Sequence, residues 1–227
     1  MAPPPISIVI PTLNAERRLP ACLAALRTTI LSTAITVVDG GSTDDTATIA
    51  TAAGATVIAA APGRGAQLAA GAAAATHLWL MFVHADTALA HGWDIAVASF
   101  MTNPDMRENV GVFQFRLDDV APAAKRLERI VAWRTKVLAL PYGDQGLVMS
   151  RATYAEIGGF RTLPIMEDVD LVRRIPKGRL HVLPATAITS ADRYRQNGYV
   201  LRPLRNLLCQ GLWRLGVPAE TVARLYR

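Results

Sequence analysis

Acidic side chains in this 227-residue chain stand where apolar runs stop. Leu78-Trp79-Leu80-Met81-Phe82-Val83 is followed at once by His84-Ala85-Asp86-Thr87, so a lone carboxylate closes the run. Such a run fits a strand buried on both faces, and in open α/β sheets ligands collect beyond the carboxyl ends of the strands. Asp86 is therefore set to meet a ligand, or to cap a following helix. As an oxygen donor it suits a hard divalent ion. Magnesium is content with one or two carboxylates plus phosphate oxygens, and manganese also tolerates an imidazole such as His84. Two further acids, Glu16 and Asp39, follow earlier strand-like runs, and Glu167-Asp168-Val169-Asp170 opens a short segment ending in Arg173-Arg174. Asp39 and Ser42 also suit a tight turn, while acids at 16 and at 167–168 suit first helical turns, and Asp170 reads as surface.

The segments that must carry these groups alternate in period. Ile6–Ile10 is β-rich and stops at Pro11, and Glu16–Arg27 sets Leu19, Leu23 and Leu26 at helical spacing. Strands at 34–38 and 55–60 alternate with helices at 46–53 and 66–76, and the run before His84 is the fourth strand. This alternation argues for a parallel sheet with helices on both faces. Beyond Asp86 it loosens into a helix near 93–101, a strand at 110–117, a helix at 122–138, a strand at 147–149 after the turn-rich Tyr142–Gly146, a short helix from Glu167, and separate strands at 180–183 and 187–189. The second half reads as mixed α/β. From Tyr199, leucines at 201, 204, 208, 212 and 215 run against Arg202, Arg205 and Arg214 as one basic amphipathic helix, expected to dock on its own domain.

The length suits one domain, with 1–100 as a ligand-binding half, 101–190 as a second half and 191–227 as a helical tail. Hydrophobic residues make up 51%, yet no run reaches the ~18 apolar residues of a membrane span. Met1-Ala2-Pro3-Pro4-Pro5 resembles no export signal, so a cytoplasmic protein is expected. Cys22 and Cys209 form no disulfide framework or metal spacing and read as buried thiols. The formal charge of +6 favours anionic partners without selecting one.

Pro11-Thr12-Leu13-Asn14-Ala15-Glu16, Val38-Asp39-Gly40-Gly41-Ser42-Thr43-Asp44, His84-Ala85-Asp86 and Glu167-Asp168 together resemble, in order and spacing, the family-2 glycosyltransferases of GT-A fold. His-Ala-Asp-Thr and Gly-Asp-Gln bring the chain near the small soluble transferases of arsenosugar biosynthesis. The resemblance runs to about Leu183. It implies an α/β, Rossmann-like three-layer fold with a largely parallel central sheet, and a hexosyltransferase using a nucleotide-sugar donor, UDP-linked by preference. Pro11, Thr12, Asn14, Glu16, Asp39, Ser42, Arg64, His84, Ala85, Asp86 and Arg193 would bind that donor, with Asp39 accepting from a uracil N3–H. Asp86 matches the last acid of the family's Asp-x-Asp metal motif, whose first acid is here His84. The resemblance implies magnesium or manganese as the cofactor, held by Asp86. Asp168 matches the general base of inverting members, and Asp144, Gln145 and Glu167 would face a small-molecule or lipid-linked acceptor. The processive motif is missing; only Ser190-Ala191-Asp192-Arg193-Tyr194 stands near its place. A homodimer and peripheral membrane contact through the tail are left open.

Other classes fare worse. Gly63-Arg64-Gly65 opens a helix after a strand, but a dinucleotide fingerprint needs a small residue where Leu68 stands. A sugar nucleotidyltransferase, or a non-catalytic nucleotide-binding protein of related fold, is the alternative, yet the former wants a Gly-rich basic loop and Pro11–Glu16 has no glycine. An aspartyl phosphatase would place a second acid at Ala88. Nucleic-acid binding is not expected, because the basic residues are scattered rather than interleaved with aromatics.

Overall fold

The computed structural model describes residues 2–176 and 178–226. Strand β1 (Ile6–Thr12) lies between β2 (Thr33–Asp39) and β4 (Trp79–Phe82), parallel to both, and β3 (Thr56–Ala59) pairs in parallel outside β2. β1 runs through Pro11, which aligns with Val38, to Thr12. Proline forfeits one donor but its φ suits extended backbone, so it did not end the strand as expected. On the far side β4 pairs antiparallel with β7 (Leu147–Ser150), β7 antiparallel with β6 (Val110–Leu117), β6 parallel with β8 (Leu180–Thr189), and β8 antiparallel with the short β5 (Thr87–Leu89). The sheet order is β3-β2-β1-β4-β7-β6-β8-β5.

Both faces of the central strands are covered. Ile6, Ile8 and Ile10 of β1 and Met81 of β4 join Leu19, Leu23 and Leu26 of α1 (Leu19–Arg27) and Trp93, Val97 and Phe100 of α4 (Trp93–Thr102). Val9 and Val38 face the other way, against Leu68 and Ala72 of α3 (Arg64–Ala74), in a cluster shared with Leu171 and Val172 of α7 (Glu167–Arg174). Gly71 lets α3 lie on β1, since a Cβ there would come within 2.2 Å of Val9 Cγ1. Helices α2 (Thr46–Ala52), α5 (Pro122–Leu138) and α6 (Arg151–Glu156) complete the crossovers. The expected three-layer α/β architecture, largely parallel with a mixed second half, is present.

Three local expectations are corrected. The strands at 180–183 and 187–189 are one continuous β8, because a register shift between Val112 and Gln114 of β6 bulges out the segment containing Pro184. α1 starts at Leu19 rather than Glu16, after a loop in which Asn14 takes φ 51°. The tail is three helices, α8 (Asp192–Asn197), α9 (Leu201–Arg214) and α10 (Ala219–Tyr226), broken where Gly198 and Gly216 adopt positive φ. It does dock on its own chain: Cys209 and Val222 are buried with Ile165, Met166 and Val169.

Candidate active site

The loops leaving β1 and β2 are laced together. Asn14 N–H donates to Ser42 Oγ at 2.9 Å, Thr43 N–H to Asn14 Oδ1 at 2.9 Å, and Glu16 N–H to Asp44 Oδ2 at 3.1 Å. Asp39 accepts from the backbone N–H groups of Gly41 (3.2 Å) and Ser42 (2.9 Å), from Ser42 Oγ, and from Thr12 Oγ1 at 3.2 Å. Partial burial opposes its charge, but the Ser42, Gly41 and Thr12 donors outweigh that and hold the carboxyl below its usual range. Beneath the loops Gln67 Nε2 donates to the carbonyls of Thr12 (2.6 Å) and Val38 (2.8 Å), tying β1 to β2.

Charges converge at the end of β4. Arg64 Nε pairs with the fully buried Glu167 Oε1 at 2.8 Å. Burial pushes the Glu167 carboxyl up to about 7, even against the pull of Arg64. Asp168 accepts from Gly143 N–H through Oδ2 and from Val169 N–H through Oδ1, both at 2.8 Å. Burial pushes Asp144 up to about 6; Arg134 opposes this, while Asp168 and Asp86 reinforce it. His84 is driven down to about 4 by burial and by Arg64 and Arg193, against Asp86 and Asp168, so it is a neutral imidazole at pH 7. Met166, at φ 64°, precedes α7 and turns Glu167 and Asp168 inward. Such a conformation is strained for a side-chain-bearing residue and holds only because its surroundings impose it.

Two cavities share this cluster as a common wall. The first, about 590 Å³ and within the range of small-ligand sites, is lined by Pro11, Thr12, Asn14, Arg64, His84, Ala85, Asp86 and Arg193 among others. The second is bounded by α5, α7 and α9 and contains Asp144 and Asp168. Arg64, His84, Asp86 and Arg193 belong to both. Asp39, Ser42 and Glu16 are not among the first cavity's lining residues; they lie in the laced loops, where Asp39 is bonded to the lining residue Thr12. An enclosure split by a carboxylate, an imidazole and two guanidinia suits a transfer between two substrates meeting at that wall.

Residues 7–159 match the family model described as glycosyl transferase family 2. The chain belongs to that family. An uncharacterized glycosyltransferase of Mycobacterium bovis is 41% identical over 93 residues, which is 40% of this chain and 41% of that protein. A PGL/p-HBAD biosynthesis glycosyltransferase of Mycobacterium tuberculosis is 53% identical over 51 residues, 22% of this chain and 20% of its own length. The matches thus span well under half of those relatives. Among solved structures, S. aureus TarS 1-349 in complex with UDP-GlcNAc aligns with a TM-score of 0.65 at 15% identity, over 98% of this chain and 70% of that one. Glucosyl-3-phosphoglycerate synthase from Mycobacterium tuberculosis, in complex with Mn2+, UDP and glucosyl-3-phosphoglycerate, aligns at 0.59 and 20% identity, over 95% and 81%. These neighbours share the GT-A fold.

Within this family-2 framework the donor set fits a divalent ion completed by its ligand. Asp86 Oδ1 is buried and has no hydrogen-bond partner. Among the described residues no three His, Cys, Asp or Glu side chains gather to hold an ion unaided. One hard oxygen with phosphate oxygens filling the remaining positions agrees with both observations.

Three expectations change. Glu167, expected to face an acceptor, is fully buried against Arg64 and lines neither cavity, so it positions Arg64 instead. Gln145 is 1% exposed, accepts from Thr135 Oγ1 at 2.9 Å and donates to the Phe113 carbonyl at 3.0 Å, so it braces the loop from within and does not face an acceptor. Asp170, read as surface, is buried between Arg161 (3.1 Å) and Arg174 (2.7 Å). Sequence reasoning also missed Gln67, Arg134 and the α9 wall of the second cavity. Arg134 lies 3.3 Å over the Tyr142 ring and donates to Leu140 O at 2.8 Å. A basic residue beside the Tyr-Gly-Asp-Gln turn carried no motif, because their meeting depends on how α5 returns.

Proposed function

We propose that this family-2 glycosyltransferase moves a hexosyl group from a UDP-sugar to a small-molecule or lipid-linked acceptor, in a single inverting, non-processive displacement. The observation that carries this is the shared wall: Asp86, His84, Arg64 and Arg193 stand between a cavity fed by the β1 and β2 loops and a cavity holding Asp168.

The donor enters the first cavity. Asp39 is held ionised next to Thr12, which lines the cavity, and a base N3–H reaching past Thr12 would donate to the Asp39 carboxylate in place of a hydroxyl. Arg64 and Arg193 draw the diphosphate towards the wall, and the N-terminus of α3 adds its positive end to the same side. Asp86 would hold magnesium or manganese, which when bound neutralises charge on the leaving diphosphate. His84, neutral, serves as a donor contact or packing surface rather than as a second cation.

The acceptor enters the second cavity, with Asp144 beside it and Glu167 setting Arg64 in place. Asp168 takes the acceptor hydroxyl proton as that oxygen bonds to the anomeric carbon and the carbon–diphosphate bond breaks. A single backside displacement leaves the product with the opposite anomeric configuration. Both cysteines are buried and unpaired, in keeping with the reducing cytoplasm as the site of action.

Thermal denaturation against a panel of nucleotide sugars tests the reading. A UDP-hexose with manganese should raise the melting temperature and NAD should not. No shift with any UDP-, dTDP- or GDP-sugar would overturn it.

A further inference from the structure

Helices α5 and α9 form opposite banks of the second cavity, and both turn apolar residues outward. On α5, Ile130, Trp133 and Val137 fall on one helical stripe and are 60%, 57% and 59% exposed. On α9, Leu204, Leu207 and Leu208 are 56%, 58% and 60% exposed. Ile130 and Leu207 line the cavity itself, so the two stripes meet at its mouth. Exposed apolar stripes on both banks of one cavity mark an interaction surface.

Charge selects among occupants. α9 has no acid and carries the exposed Arg214 and the half-buried Arg205, while its Arg202 is buried, and α5 adds Arg126, Arg129 and Lys136, all exposed, with Glu128 as its one acid, paired to Lys125 at 3.0 Å. A second copy of the same face would set like charges against one another. An anionic bilayer meets both the apolar stripes and the cationic surround, the pairing by which amphipathic helices bind membrane surfaces. Among the described residues no helix is long and apolar enough to cross a membrane, so the contact is interfacial.

We propose that the α5–α9 face seats on an anionic lipid surface, with the mouth of the second cavity turned towards it. Resting on the glycosyltransferase reading, this favours the lipid-linked acceptor class, since an acceptor carried in that surface reaches Asp168 without leaving it.

Co-sedimentation with vesicles tests the proposal, using phosphatidylcholine alone and phosphatidylcholine mixed with phosphatidylglycerol. The protein should pellet with the mixed vesicles, more weakly with the neutral ones, and be released by salt. Trp133→Glu combined with Leu204→Glu should weaken vesicle binding by roughly a hundredfold. Both residues lie outside the catalytic cavities, so UDP binding measured by calorimetry should match the wild type, which also reports an intact fold. Failure of the wild type to bind mixed vesicles overturns the proposal. So does a dimer, seen by sedimentation equilibrium without lipid, that the same substitutions dissociate. Absence of UDP binding in wild type and variant alike would instead fault the glycosyltransferase reading, independently of the vesicle result.

Discussion

Gly143 lies so close to His84 that a Cβ on it would stand 2.7 Å from both Cε1 and Nε2 of the imidazole. Its backbone N–H also holds Asp168. One glycine therefore sets the separation between the β4 end and the general-base candidate on α7.

Gly143→Ala should push the imidazole out of place and loosen its neighbour, since a Cβ would also reach 3.3 Å from Asp168 Oδ2. Overpacking of this kind costs about 1–3 kcal/mol. A lower melting temperature and a kcat drop larger than any change in UDP affinity are expected. Wild-type kcat in the variant would show that the wall yields freely.

Asp168→Asn keeps the side-chain shape and loses the basic carboxylate. Transfer should fall by roughly 10²–10⁴-fold, the usual worth of a positioned base, with donor affinity almost unchanged. Rapid-quench transfer assays alongside UDP calorimetry separate the two. Retention of the donor's anomeric configuration, read by NMR of the product, would rule out the single displacement.

Asp86→Ala should abolish the manganese-dependent tightening of UDP while unfolding stays cooperative. The orphaned Oδ1 motivates this expectation. Equal UDP affinity with and without manganese in the wild type would remove the metal role and shift diphosphate stabilisation to Arg64, Arg193 and the α3 N-terminus.

The laced Asp39 turn predicts a pyrimidine donor. Calorimetry under matched metal should give UDP tighter than GDP, and Asp39→Asn should narrow the difference. A clear preference for GDP would contradict the assignment.

Asp144 ties stability to pH. Its carboxyl ionises near 3.8 when unfolded and at about 6 when folded, so within that window the native chain keeps a proton the unfolded chain has released. Its stabilising contribution is complete below the lower value and is lost as pH rises through the upper one. Asp144→Asn should therefore gain on the wild type by about 1–3 kcal/mol between pH 4 and pH 8, measured by urea denaturation. A pH-independent difference would mean that Asp144 ionises normally.

Periodicity and punctuation alone determined the β-α alternation, the buried run ending in His84-Ala85-Asp86, and the acid-rich start of α7, because each is encoded within a few adjacent residues. Three features needed the folded chain. β5 is three residues long and forms only because β8 lies beside it. The break of the tail into α8, α9 and α10 follows from glycine conformations and from docking on Ile165 and Met166, which one amphipathic pattern does not reveal. Gln145 was expected to face an acceptor and Asp170 to lie on the surface, yet Thr135, Phe113, Arg161 and Arg174 approach from other elements and decide their burial. Local propensity acts over one turn or one strand. The direction in which a polar side chain finally points is set by partners far away in sequence, brought near only when the sheet closes.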